Sequence, residues 1–198
     1  MGAMRRHIIG IDEAGRGPLA GPVAVGVVLF PERFDWRLLR GIKDSKQLTP
    51  DAREAWYANL LMLRREYDVQ FAVSFSSARV IDARGIVPAV FAGITRSLAR
   101  LEADPRHSEL LLDGALHAPA HFTHQRTIIR GDETEPAIAL ASIAAKVRRD
   151  RLMRRYALQF PAYNFDLHKG YGTKAHREVF KRLGPCPIHR QSFLRKWI

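Results

Sequence analysis

HIIGIDEAGRGPLAGPVAVGVVLF (residues 7–30) contains two apolar runs separated by a turn rich in glycine and proline, and that pattern sets the fold class. His7 to Ile11 and Val23 to Phe30 are short, rich in β-branched residues and bounded by breakers, so each predicts a buried strand. Asp12 and Glu13 follow the first run. Two adjacent anions at the end of a buried strand are costly unless something positive neutralises them.

Outward from this stretch, Tyr67 to Phe75 alternates polar and apolar residues, Glu109 to Asp113 is a short apolar run, and Arg126 to Arg130 frames another. Five strands are therefore expected. Thr49-Pro50 is a cap followed by a first-turn proline, opening a helix with Trp56, Leu60 and Leu63 at helical spacing. Ser76 to Gly85 predicts a short helix and Pro88 to Ala103 a longer one. Thr134-Glu135-Pro136 opens another, apolar all round through Ala145 and so buried in its first half, then basic until it stops before Pro161. Thr173 to Gly184 predicts a last amphipathic helix with Val179, Phe180 and Leu183 inside. Strands leading and helices following, with no repeat and no linker, indicate a mixed α/β or α+β sheet covered by helices, in one domain spanning residues 1–198.

Hydrophobic residues at 46% and charged residues at 26% leave no room for a disordered or collagenous chain. No apolar stretch approaches 18 residues, and the start carries no signal-like apolar region, so neither membrane insertion nor secretion is expected. The single cysteine, Cys186, allows no internal disulfide and no cluster of soft metal ligands, which fits a reducing, cytoplasmic setting. The formal charge is +12, and it is unevenly spread. Residues 146–198 hold 14 Lys and Arg against 3 Asp and Glu, whereas residues 1–145 hold 18 against 17. A solvated basic surface is one reading; a polyanionic partner, nucleic acid above all, is the better one. Anionic membrane fits less well, because these cations are interleaved with Tyr, His and Gly instead of opposing an apolar face.

Asp113 closes the run Leu110 to Leu112 and precedes Gly114, and Asp132 follows Gly131 just ahead of the helix near Thr134. Each alone reads as a turn or cap aspartate. Three strand ends carrying carboxylates are a different matter, since such ends meet at one edge of an open α/β sheet, where ligands bind. Oxygen ligands without Cys or a tight His set suit hard cations such as Mg2+ or Mn2+. With a polyanionic partner, the matching chemistry is metal-assisted phosphodiester hydrolysis.

GIDEAGRGPLAGPV at 10–23, DSKQLT at 44–49, LLLDG at 110–114, ASIAAKVRRD at 141–150, HKGYGT at 168–173 and HRQSF at 189–193 together resemble the ribonuclease HII family, type 2 ribonuclease H. The resemblance spans almost the whole chain. It implies a ribonuclease H fold, a five-stranded mixed sheet flanked by helices, with a basic C-terminal helical extension over about 160–198. It implies endonucleolytic cleavage of RNA in RNA–DNA hybrids and 5′ to single ribonucleotides in duplex DNA, with two divalent ions, Mn2+ or Mg2+, and 3′-hydroxyl and 5′-phosphate products. Position by position, Asp12, Glu13, Asp113 and Asp132 correspond to the metal-binding catalytic acids, with Glu133, Glu135 and Asp150 as competitors for the fourth place. Asp150, beside Arg149 and Arg151 in the predicted helix, reads instead as half of a local ion pair. Gly15-Arg16-Gly17 resembles the segment that recognises the ribonucleotide, and its glycines permit the close backbone approach that reading a 2′-hydroxyl needs. Tyr171 resembles the tyrosine that packs against the following deoxyribose, and Lys46, Lys146 and Lys169 are candidates for phosphate contacts. A monomer is expected, with a replication or repair protein of unidentified nature as a further partner. Phe160, Asn164 and Pro88 depart from the family pattern.

Other signals are weaker. Gly15-Arg16-Gly17 with Gly21 is one residue too long for a dinucleotide fingerprint and is followed by a β-rich run where that motif needs a helix. His117, His121 and His124 could suggest zinc, but a surface histidine cluster is the plainer reading. There is no P-loop and no nucleophile elbow. His168, His176 and His189 either assist substrate binding or cap and pack. Two rival functions stand beside the nuclease: a non-catalytic basic nucleic-acid binder, and a metal-dependent nuclease acting on DNA alone.

Overall fold

The computed structural model describes residues 7–194, so Arg195 and Lys196 of the basic C-terminal quarter lie outside the described residues. Five strands, β1 (His7–Ala14), β2 (Val23–Phe30), β3 (Gln70–Ser76), β4 (Ser108–Asp113) and β5 (Gln125–Ile128), form one sheet in the order β3-β2-β1-β4-β5. β2 is antiparallel to β1 and to β3, while β1, β4 and β5 run parallel. This is the mixed sheet that the resemblance implies.

Three strand limits differ from expectation by two residues or more. β1 runs past Ile11 because Asp12, Glu13 and Ala14 pair with Gly26, Val25 and Ala24, so both acids lie within the strand. β3 starts at Gln70 because the preceding helix runs to Glu66, with Tyr67 as its cap and Asp68 in the left-handed region at φ 54°. β5 stops at Ile128, because Ile129 turns into solvent and Arg130 adopts φ 56°.

The helices are α1 (Pro50–Glu66), α2 (Ala78–Arg84), α3 (Ile86–Arg100), α4 (Gly131–Thr134), α5 (Pro136–Gln159), α6 (Phe165–His168), α7 (Lys174–Leu183) and α8 (Gln191–Leu194). Thr49 Oγ1 accepts from the Ala52 N–H to cap α1, and Ser77 does the same for α2 through Val80. Pro88 sits in the first turn of α3, where its missing N–H costs nothing, so the helix is uninterrupted and begins two residues earlier than expected. The one-turn helices α4, α6 and α8 are too short to leave a periodic signal in the sequence. Leu183 was expected inside, but it is half exposed. It occupies the last position of α7, beyond the aromatic cluster against which Val179 packs, and the helix buries His176 and Phe180 instead.

Helices cover both faces of the sheet. α2 and α3 pack Ile81, Val90, Ile94 and Leu98 on Ile9, Ile11, Val25 and Leu112. On the other face, α1 and α5 pack Leu60, Leu63, Ile138 and Leu140 on Val28, Phe30 and Leu111. Every residue of α5 from Ala137 to Ala145 is buried, as its all-round apolar sequence predicts. The approach to β1 is very close: a Cβ on Gly10 would lie 2.0 Å from the Ala137 carbonyl oxygen, so only glycine fits there.

Candidate active site

Asp12 and Glu13 are consecutive in β1, so they point to opposite faces. Asp12 turns towards α5 and is almost wholly buried, accepting hydrogen bonds from its neighbour's backbone N–H at 2.7 Å and from the Ser142 hydroxyl. Asp113 ends the adjacent parallel strand β4. Asp132 lies in α4, whose position is tied to β4 by the Asp132 N–H donating to Asp113 Oδ1 at 3.3 Å. One carboxylate oxygen from each of Asp12, Asp113 and Asp132 lies within 4.8 Å of the other two. Oxygens bound at 2.0–2.6 Å to a common ion stand up to about 5 Å apart, so the three fit one hard cation.

The electrostatics agree with that fit. Burial, then the neighbouring Glu13, pushes the Asp12 pKa well above the usual carboxylate value; burial raises Glu13 despite the opposing pull of Arg16; and burial, then Asp132, raises Asp113. Glu13 Oε1 meets Arg16 at 3.4 Å, but Glu13 Oε2 is buried with no hydrogen-bond partner. An orphaned carboxylate oxygen beside three crowded aspartates is a second observation that favours a bound cation over three separate capping roles.

The competitors for the fourth place are occupied elsewhere. Glu133 pairs with Arg130 at 2.8 Å, Glu135 precedes the first residue of α5, and Asp150 accepts from Lys146 at 2.8 Å. Asp150 thus does form a local ion pair, with the lysine one turn back and not with the flanking Arg149 or Arg151. Asp132 is the acid that the fold brings to Asp12 and Asp113.

An open cleft of about 260 Å³ adjoins the carboxylates, lined by Gly15, Arg16, Gly17, Lys46, Lys146 and Tyr171 together with Asp12, Glu13 and Asp113. Lys46 is largely exposed along its stem, but its ammonium is tethered 2.8 Å from Asp132 Oδ2. Burial lowers the Lys46 pKa, but the hydrogen bond and charge of Asp132, with Asp44 and Asp12, outweigh this and raise it. Tyr171 is partly exposed, with Lys146 Nζ 5.9 Å and Arg149 Cζ 5.7 Å from its ring centre. Lys169 does not line the cleft; its ammonium is held by the Asp166 carbonyl.

The loop carrying Gly15 to Gly17 is held from behind by two fully buried arginines. Arg190 donates to the carbonyls of Gly15 and Arg16 at 2.7 Å each and to that of Gly21 at 2.9 Å, and Arg149 donates to Pro22 at 2.9 Å and Ala20 at 3.3 Å. Gly15 has φ 90°, and a Cβ there would lie 2.0 Å from Arg149 Nε, so the arginine occupies the space a side chain would need. The Tyr171 segment is braced too. Cys186 N–H donates to His189 Nδ1 at 2.9 Å, which leaves His189 Nε2–H to donate to His176 Nε2 at 3.0 Å and His176 Nδ1–H to donate to the Tyr171 carbonyl at 2.9 Å. Those histidines therefore pack behind the site, and His168 stacks on His176 with ring centres 4.2 Å apart. His117 and His121 pack against Phe91 and Phe122.

Reading single residues from the sequence missed Asp44, Ser45, Ser142, Arg149 and Arg190. Asp44 is buried, its pKa raised by burial, and it accepts from the Lys46 N–H; Ser45 and Ser142 share a 2.8 Å hydrogen bond beside Asp12. The signal was their membership of the motifs at 44–49, 141–150 and 189–193.

A five-stranded mixed sheet with clustered carboxylates at the parallel ends of β1 and β4, opening on a basic cleft, defines a nuclease site of the metal-binding type. The family model described as Ribonuclease HII matches residues 9–196. Ribonuclease HII of Syntrophotalea carbinolica is 43% identical over 188 residues, 95% of this chain and 85% of that protein. Among solved structures, ribonuclease HII of Archaeoglobus fulgidus, in its complex with PCNA, superposes with a TM-score of 0.71 at 27% identity, covering 89% of this chain and 87% of that one. Ribonuclease H2 of Pyrococcus horikoshii gives the same TM-score at 26% identity, covering 96% of each chain. The chain belongs to the ribonuclease HII family, and it is a nuclease.

Proposed function

We propose that the chain is an endoribonuclease that hydrolyses the RNA strand of RNA–DNA hybrids and cuts 5′ to single ribonucleotides in duplex DNA. The observation that carries this reading is the meeting of Asp12, Asp113 and Asp132 oxygens within 4.8 Å beside the Gly15 to Gly17 loop. Asp12, Glu13, Asp113 and Asp132 are the residues that would hold divalent ions, Mn2+ or Mg2+. Such ions supply an activated water and neutralise charge on the leaving oxygen. The chain's own residues do the rest: the Gly15-Arg16-Gly17 backbone, held at the Gly15 and Arg16 carbonyls by Arg190, reads the ribose 2′-hydroxyl, the group that separates RNA from DNA at one site. Tyr171 packs against the next deoxyribose, and Lys146 offers charge to a phosphate beside it. The products carry 3′-hydroxyl and 5′-phosphate ends. PCNA in the Archaeoglobus complex supports proposing a replication protein as a partner for this chain as well.

The test is a labelled DNA duplex with one ribonucleotide beside its all-DNA twin, each with Mg2+, Mn2+ or chelator. Metal-dependent cutting 5′ to the ribonucleotide, with the twin intact, is the expected result. Tight binding without cutting would favour a non-catalytic binder, cutting of both duplexes a DNA nuclease, and a 2′,3′-cyclic phosphate product would remove the two-ion scheme.

A further inference from the structure

A second basic cleft, of about 220 Å³, lies on the opposite side of α5 from the carboxylates and is lined by Phe75, Arg148, Arg151, Leu152 and Arg155. Helical geometry fixes the relation. Lys146 lines the carboxylate cleft, and Arg155, nine residues further on, is turned by about 900°, or half a turn after whole turns are removed. α5 thus stands as a wall about 10 Å thick between the two clefts. Both open at the same edge of the sheet: Phe75 of β3 and Ala14 of β1 both pair with Ala24 of β2, and Ala14 lies two residues beyond Asp12. Phe75 is therefore displaced from β1 by two strand spacings, about 10 Å.

Two of the three arginines lining this cleft lack the carboxylate partner that the third, Arg151, has. Arg151 and Arg154 share the single carboxylate of Glu54, at 2.6 and 3.5 Å. Among the described residues, Arg148 meets only the Tyr57 hydroxyl, at 3.4 Å, and Arg155 makes no hydrogen bond or ion pair. Among the described residues, no carboxylate lines the cleft. Two guanidinium groups without a carboxylate partner lie on one helix face beside Phe75 and Leu152, and guanidinium geometry suits phosphate oxygens.

We propose that this cleft is a second phosphate site, taking the backbone of the substrate duplex away from the scissile phosphate, with Arg148 and Arg155 as its ligands. The inference rests on the proposed nuclease reading and adds where the duplex extends: across α5, from the carboxylate cleft to the arginine cleft. A long duplex reaches both. A duplex trimmed to the few base pairs around the ribonucleotide reaches only the first.

The experiment measures the Kd of wild type, Arg155→Gln, the Arg148→Gln/Arg155→Gln double variant and the double lysine variant for a long and a trimmed ribonucleotide-containing duplex across a salt series. Both side chains are exposed, and matching melting curves check folding. Losing two phosphate contacts should lower the salt slope by about 2 and weaken binding of the long duplex by about tenfold or more at low salt, with about half the slope change in Arg155→Gln. The lysine variant should keep the wild-type slope, and the trimmed duplex should not distinguish any of the proteins. An unchanged slope for the long duplex in the double glutamine variant, while wild type still cuts 5′ to the ribonucleotide, would overturn the second site alone. Equal weakening on both duplexes would place the arginines near the scissile segment and also overturn it, whereas a wild type that neither binds nor cuts would overturn the nuclease reading itself.

Discussion

Lys46 and Asp132, 86 residues apart, meet at 2.8 Å with the aspartate buried and most of the lysine side chain exposed. The ammonium is held at its tip and not by packing along its stem. A cation entering among Asp12, Asp113 and Asp132 competes with it for the same carboxylate.

Lys46→Met should therefore tighten Mn2+ binding, followed by calorimetry. A largely exposed lysine contributes about 1 kcal/mol to such a pair, so the gain is about fivefold. Weaker or unchanged binding would mean the ammonium does not compete. In the unsubstituted protein, Mn2+ or Mg2+ should raise the melting temperature and chelator should reverse it, by mass action on the folded state.

Asp12→Asn and Asp113→Asn should separate activity from stability. Turnover should fall by about a thousandfold or more, the scale of several kcal/mol of lost charge stabilisation. The metal-free Asp12→Asn protein should melt at or above the wild-type temperature at neutral pH, because burial and Glu13 already disfavour the charged form. Near-normal turnover in either variant would remove that residue from the site.

His189 links stability to pH. Burial, then the adjacent His176, lowers its pKa from 6.5 to about 4. The folded state then binds fewer protons than the unfolded state between those values, so this contribution is complete above pH 6.5 and is lost as pH falls towards 4. The loss is about 3 kcal/mol, readable as a falling urea midpoint. An imidazole resonance titrating near 6.5 for His189 would refute the assignment.

Gly10→Ala should cost about 3 kcal/mol, since its Cβ would overlap the Ala137 carbonyl and push α5 off the sheet. Gly17→Ala, with nothing within 4 Å of the added carbon, should leave the unfolding free energy within about 0.5 kcal/mol of wild type. Equal effects from the two would mean that α5 yields to the extra methyl.

Local patterns carried much of this molecule. The apolar run Val23 to Phe30 is β2 with every residue buried, and the all-round apolar segment Ala137 to Ala145 is the buried half of α5, because burial on all sides leaves no polar stripe to break the pattern. Strand limits were less legible. β1 extends through two carboxylates that no strand propensity favours, held there by pairing with β2.

The sequence by itself determined five strands, the long helices and which acids were candidates, since periodicity, caps and breakers act over a few residues. Tertiary structure decided the rest. Asp132, Glu133 and Glu135 are near neighbours in the chain, yet only the N–H of Asp132 reaches Asp113, because the α4 turn is docked on β4. Arg149 and Arg190 read as surface cations in a basic tail, yet both are wholly buried on the carbonyls of residues 15–22, and Arg148 and Arg155 stay exposed on the same stretch of chain. Neither buried arginine carries a local mark of which carbonyl will face it; that depends on contacts between segments more than a hundred residues apart, made only when the sheet, α5 and the C-terminal segment come together.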